Sequence, residues 1–478
     1  MNILSLIAHD LTNEELRHYR FYAQRRNRNE ERKDWHLLEL YRKNEVVDDD
    51  RFRRALYGEE GDANTYARLK NRLTEDLNKA LVAASLKEKE FEPWFYYLTF
   101  QYYDLRNRHT TAYYYLKKTL AKAEACGFYD LAVIACHSLL RSQRYRSEKR
   151  SQAVLERLKS NEKFSRLRRS LEFHSALLEE ELRRSQNLYG VRKILLAKAQ
   201  QALKKTKDPA ALPPVLNMLW LKLQCQILVF NHDYTGIKNL LEPRMEGFLK
   251  REASLQEEAD LQATLLIYLL NAFTLCEDFD AVTQHSPQLE ALLQKKPFLA
   301  SRYRFFYYQT TVAAFCKTGR FSEALHLIHQ MEGEKELSVN PRYLIFAAIN
   351  KALCLFETNR LPEALKTLAR LKTMEAFKET DERLQVQAEI MEILLRLLVG
   401  DLDYGFHRCR QLLRDDLMPE PDDKHLLLHL VHISKLNLRE IKRYLLEKVI
   451  PDPQIRMHED RQVINYHRWA VRWAESLK

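Results

Sequence analysis

Three histidines, His425, His429 and His432, stand at i, i+4 and i+7 of one apolar run. That spacing puts three imidazoles on one helix face. Imidazole suits zinc or copper, but a metal site also needs a further ligand and hydrogen-bonded support. Asp422 and Asp423, one turn earlier, are the nearest carboxylates in sequence. The competing expectation is an amphipathic helix with histidines on its polar side, and no metal or cofactor is assigned. His407 and Cys409 are two residues apart, so on a helix they point away from each other and form no catalytic pair. No GxGxxG, GxxxxGK[ST], HExxH or GxSxG motif occurs, and no catalytic residue is assigned.

Charge offers a second kind of chemistry. The 478 residues carry a net charge of +11. Residues 1–190 hold 36 Lys+Arg against 29 Asp+Glu, and the remainder holds 41 against 37. Residues 141–169 alone carry eleven basic and three acidic side chains, among them Arg141, Arg144, Arg146, Arg150, Arg166, Arg168 and Arg169. Such a cluster can neutralise phosphates or meet an acidic protein, and it can equally be a solvated or salt-bridged helical face. Tyr145 and Phe164 are too few aromatics for a base-stacking platform. A tyrosine-rich run over 94–115 either lines a binding groove or belongs to the core.

The elements that position these residues repeat. Turn residues Tyr234, Phe279, Phe321, Leu361 and Tyr404 follow one another at gaps of 45, 42, 40 and 43. Each joins two apolar helix patterns, so the unit is a helical hairpin, and self-similarity at this period marks a stacked array. Only 10 residues are glycine, which argues against phosphate-loop α/β folds, while 46% hydrophobic content supplies a large core. Seven cysteines without a CxxC read as reduced thiols. The N-terminus lacks a basic segment and a cleavage site, and no stretch is long and apolar enough to span a bilayer. A cytoplasmic protein without membrane insertion is expected; its oligomeric state is left open.

Four regions follow: an N-terminal helical domain over 1–90, degenerate hairpins with the basic stretch over 91–204, the regular array over 205–435, and capping helices over 436–478. Thr12 and Glu15 fit a capping box. The prolines of Lys204–Pro214 break the chain, Asn340-Pro341 opens a helix, and Pro451 and Pro453 interrupt it again. Trp469 and Trp473 lie one turn apart on the last helix, which is expected to close the exposed core.

Two of the hairpins resemble tetratricopeptide repeats. Gly319, Phe321, Glu323 and Ala324 match the turn and second helix of that family, and Phe315 falls at its first-helix aromatic position. Leu361, Glu363 and Ala364 match again, with Asn359 for the glycine and Leu355 for the aromatic. The period exceeds the family's roughly 34 residues, which requires longer helices or linkers. The resemblance implies an all-α, right-handed α-solenoid whose groove binds a peptide or protein surface, with Tyr303, Tyr307 and Gln309 as inner-helix candidates. The order of a helical reader and then repeats also looks like bacterial transcription activators that join a winged helix-turn-helix to such a domain. There, Arg51–Tyr57 and Asn64–Leu81 would be the two helices, with Arg68, Lys70, Asn71 and Arg72 facing out, although no wing strands follow Leu81. Two functions are therefore expected: a non-enzymatic interaction scaffold, or a nucleic-acid-binding regulator that uses the basic N-terminal half.

Overall fold

The computed structural model describes residues 3–26, 33–44, 48–59, 61–141, 148–183, 189–206, 208–253, 255–334, 337, 340–414, 421–456 and 465–477. The fold is all-α, and no strand occurs among the described residues. The chain divides into two compact units. One comprises Met1–Glu180, Asn187–Trp220 and Ala253–Glu258, and the other Glu181–Gln186, Leu221–Glu252 and Ala259–Lys478.

In the first unit, helices Ile3–Asp10, Asn13–Arg26, Lys33–Lys43, Asp49–Tyr57 and Ala63–Ser85 share one core. Their starts are chemically marked. Thr12 and Glu15 form the expected reciprocal cap, and Asp48 and Asp62 accept from the amides of Arg51 and Thr65. Leu69, Leu73 and Leu77 recur every fourth residue and are buried. The two helices read as a helix-turn-helix are present, but Lys70 does not face out. Its Nζ lies 2.7 Å from Asp49 Oδ2, and that carboxylate also accepts from Tyr41 (2.5 Å) and Tyr66 (2.9 Å). Burial opposes the Asp49 charge, yet the bonds from Lys70, Tyr41 and Tyr66 outweigh it and hold the carboxyl below its ordinary value.

Helices Glu92–Asp104, His109–Ala125 and Tyr129–Arg141 pack in succession around a second core. The basic stretch from residue 148 onward is one long helix, Glu148–Arg183. The proline-rich break appears where expected. Helix Tyr189–Lys204 ends, a 3-10 turn spans Pro209–Ala211, and the next helix starts at Pro214.

In the second unit, each helix from Phe279 to Ile433 packs on the next. The order is Phe279–Lys295, Ala300–Lys317, Phe321–Gly333, Pro341–Glu357, Leu361–Lys372, Glu382–Val399, Leu402–Arg414 and Pro421–Ile433. One turn recurs through the chain. A residue with positive φ sits two positions before the second helix at His232, Glu277, Gly319, Asn359 and Gly400. The next residue's amide returns to a carbonyl five back: Asp233 to Leu228, Asp278 to Phe273, Arg320 to Phe315, Arg360 to Leu355 and Asp401 to Arg396, all within 3.0 Å. This is a left-handed C-terminal cap, which satisfies carbonyls the helix leaves open. Asn107 and Gly127 make the same turn before His109 and Tyr129. The fifth landmark is thereby corrected from Tyr404 to Leu402, because Gly400 sets the register. The last helix, Tyr466–Ser476, buries Trp469 and Trp473, and Trp469 Nε1 donates to Leu394 O at 2.9 Å. Among the described residues, no helix is long and apolar enough to cross a membrane.

Candidate partner-binding face

Pro93 stands in the first turn of the Glu92–Asp104 helix. One side of this helix packs inward through Tyr97, Phe100 and Tyr103, and the Tyr103 ring stacks on Tyr115 at 5.6 Å. The other side carries Trp94, Leu98, Tyr102 and Leu105 at helical spacing, and they keep 45%, 58%, 50% and 80% of their surface exposed. Phe91 and Phe95 beside it, and Tyr114 on the His109–Ala125 helix, are also exposed. Exposed apolar side chains in this arrangement are unfavourable in water and make the face a candidate interaction site.

Cations frame it. The Arg106 guanidinium lies 3.7 Å from the Tyr102 ring centroid, and Lys118 sits 5.1 and 4.9 Å from those of Tyr96 and Tyr114. Lys117 lies over Tyr113 at 4.7 Å. A hydrogen bond with Tyr114 raises the Lys118 pKa and favours its charge. Among the described residues, no carboxylate pairs with Arg106, Lys117 or Lys118. The helix carries two acids: Glu92 is held by Lys122 at 2.8 Å, and Asp104 Oδ1 lies 3.4 Å from His109 Nδ1.

The basic stretch has the opposite character. Arg168 is clamped by Glu257 (2.5 Å), Glu172 (2.8 Å) and the Gly127 carbonyl (3.0 Å), so it holds the fold rather than a ligand. Arg157 pairs with Glu124, and the exposed Arg166 and Arg169 pair with Glu162 and Asp130. Arg141 is exposed at the end of its helix. Arg150 lies in the long helix with its side chain outside the described residues, as are Arg144 and Arg146 altogether.

Tyr303 and Tyr307 are buried, whereas Gln309 on the same helix is exposed, so the three do not form one surface. Tyr303 donates to Asp260 (2.8 Å) and Tyr307 to Glu290 (2.9 Å), and burial pushes the Tyr303 hydroxyl up to about 12. Tyr307 does line a cleft of about 390 Å³ with Ser286, Pro287, Thr311, Phe315 and Leu327. Among the described residues, the buried hydroxyls of Ser286 and Thr311 there find no hydrogen-bond partner.

The three histidines divide. His425 Nε2 and His429 Nε2 lie 3.2 Å apart and 2.7 and 3.1 Å from Asp452 Oδ2. His432 instead stacks on Tyr444 at 4.7 Å. Burial lowers the His429 pKa and favours its neutral imidazole, against the opposing pull of Asp452. Asp423 is committed elsewhere, accepting from Gln387 and Tyr466 at 2.6 Å each. Cys409 is buried and His407 exposed, so they point apart as expected.

The chain matches no protein-family model and no curated protein.

Proposed function

We propose that the protein is a non-enzymatic binding protein that docks an amphipathic helix with acidic flanks on the exposed face of the Glu92–Asp104 helix. The observation that carries this reading is the stripe Trp94, Leu98, Tyr102 and Leu105, with Arg106 over Tyr102 and with Lys117 and Lys118 over tyrosines of the adjacent His109–Ala125 helix. Aromatic and Arg side chains are the groups that dominate protein interfaces. Unpaired cations beside them select negative charge on the partner. The paired Arg157, Arg166, Arg168 and Arg169 make the nucleic-acid reading the weaker one.

The architecture we propose is a right-handed α-solenoid of tetratricopeptide-like hairpins. The recurring left-handed turn and the helix-on-next-helix packing from Phe279 to Ile433 support it. Seven unbridged cysteines support a reducing, cytoplasmic setting.

A labelled synthetic helix with leucines on one face and glutamates at its edges tests the reading by fluorescence anisotropy. A matched helix with lysines replacing the glutamates is the comparison. The acidic helix is expected to bind at least about tenfold more tightly and to weaken with added salt. Equal binding of the two helices overturns the proposal.

A further inference from the structure

We propose that His425, His429 and Asp452 bind one zinc-type divalent cation through His425 Nε2, His429 Nε2 and Asp452 Oδ2, with water completing the shell. Among the described residues, these three are the group of His, Cys, Asp and Glu whose donor atoms converge in this way.

The geometry carries it. Ligand atoms at about 2.0–2.1 Å from a tetrahedral zinc ion stand roughly 3.3 Å from one another. Here the two nitrogens are 3.2 Å apart, and the carboxylate oxygen is 2.7 and 3.1 Å from them. Protons alone satisfy this triangle poorly. If both imidazoles donate from Nε2 to the one oxygen, nothing is left to bridge the two nitrogens. A cation at the centre uses all three lone pairs.

The support is also present. His429 Nδ1 lies 3.1 Å from the Tyr444 hydroxyl. A proton on Nδ1 donated to that oxygen leaves the Nε2 lone pair free for a metal, the usual way a second hydrogen bond orients a ligand histidine. The backbone is adapted as well. Helix Leu438–Tyr444 runs into a π-helical turn over Leu445–Val449, where Ile450 N reaches Leu445 O at 2.9 Å. Such turns are rare and frequent at functional sites. This one precedes Asp452, which meets His425 and His429 across the fold. The His425 side chain keeps 32% of its surface, which gives an ion a path in and a water the remaining position.

Imidazole and carboxylate donors fit zinc, and cobalt(II) reports the same geometry spectroscopically. The test uses the full chain, stripped with a chelator and titrated first with Co²⁺ and then with Zn²⁺. One equivalent of Co²⁺ is expected to give visible tetrahedral bands without sulfur-to-cobalt charge transfer, and Zn²⁺ to abolish them. His425→Ala and Asp452→Ala lose the bands, and His432→Ala keeps them. Tyr444→Phe, which retains the ring, weakens binding by about 10–100-fold. Circular dichroism separates loss of a ligand from loss of the fold. Wild-type protein that takes up no Co²⁺ or Zn²⁺ overturns the proposal whatever the variants do. So do bands with thiolate character, or bands unchanged in folded His425→Ala and Asp452→Ala.

Discussion

Arg472 Nη2 lies 2.7 Å from Glu357 Oε2, a carboxylate whose side chain keeps only 3% of its surface. The same guanidinium donates to the carbonyls of Phe356 and Glu357, so it also closes the end of the Pro341–Glu357 helix. Arg472→Ala leaves a buried charge with Arg468, 3.3 Å away, as its remaining partner. The expected loss is about 2–3 kcal/mol, below the 3–5 typical of a fully orphaned ion. Chemical denaturation of the full chain measures it, and a change under about 0.5 kcal/mol contradicts the structural role.

The recurring turn makes opposite predictions at two positions. Gly319 has φ of 75° with open space where a Cβ would stand, so Gly319→Ala meets only the left-handed backbone cost. That cost is about 1–2 kcal/mol. Glu277 adopts the same region at φ 59° without being glycine. Glu277→Gly is expected to raise stability by up to about 1 kcal/mol, the relieved strain less the added freedom of the unfolded chain. Thermal melting of the two variants reads both signs.

Asp49 couples the first unit to acid. Its folded pKa lies below the ordinary 3.8, so the folded state holds fewer protons than the unfolded chain in the window beneath that value. Its stabilisation is present above the unfolded pKa and is lost as pH falls through the folded one. Asp49→Asn is expected to flatten the dependence of unfolding on pH below about 4, without changing its shape near neutrality. An acid unfolding series that is parallel in both proteins contradicts this.

Cysteine reactivity follows burial. Cys276 is exposed, and burial pushes the thiols of Cys225 and Cys409 upward, Cys409 to about 12. Brief alkylation of the native protein followed by mass mapping is expected to mark Cys276 first. Equal labelling of Cys225 contradicts the buried placement.

The hairpins were legible because Gly319 and Asn359 sit in turns with matching neighbours. The fifth turn was misplaced because Tyr404 supplied the aromatic the pattern asked for, while the positive φ belongs to Gly400. His232 and Glu277 carry the same backbone with side chains that give no turn signal. On Ala300–Lys317, buried residues recur from Tyr303 to Ala314, so no apolar stripe told an inner face from an outer one. Arg168 finds Glu257 across 89 positions and His425 finds Asp452 across 27, separations no local spacing rule reaches. The exposed face was visible as a tyrosine-rich run. Its exposure depends on which side Phe100 and Tyr103 turn inward.

The binding claim is tested most directly by measuring the affinity of the acidic amphipathic helix for the wild-type chain, Trp94→Ala/Leu98→Ala and Arg166→Ala/Arg169→Ala. Loss of the apolar pair is expected to weaken binding by about 30-fold or more, the effect of removing a hot spot of about 2 kcal/mol. Loss of the two paired arginines is expected to change it less than about threefold. The reverse order, with the arginine variant losing the helix and the Trp94/Leu98 variant keeping it, contradicts the proposed face.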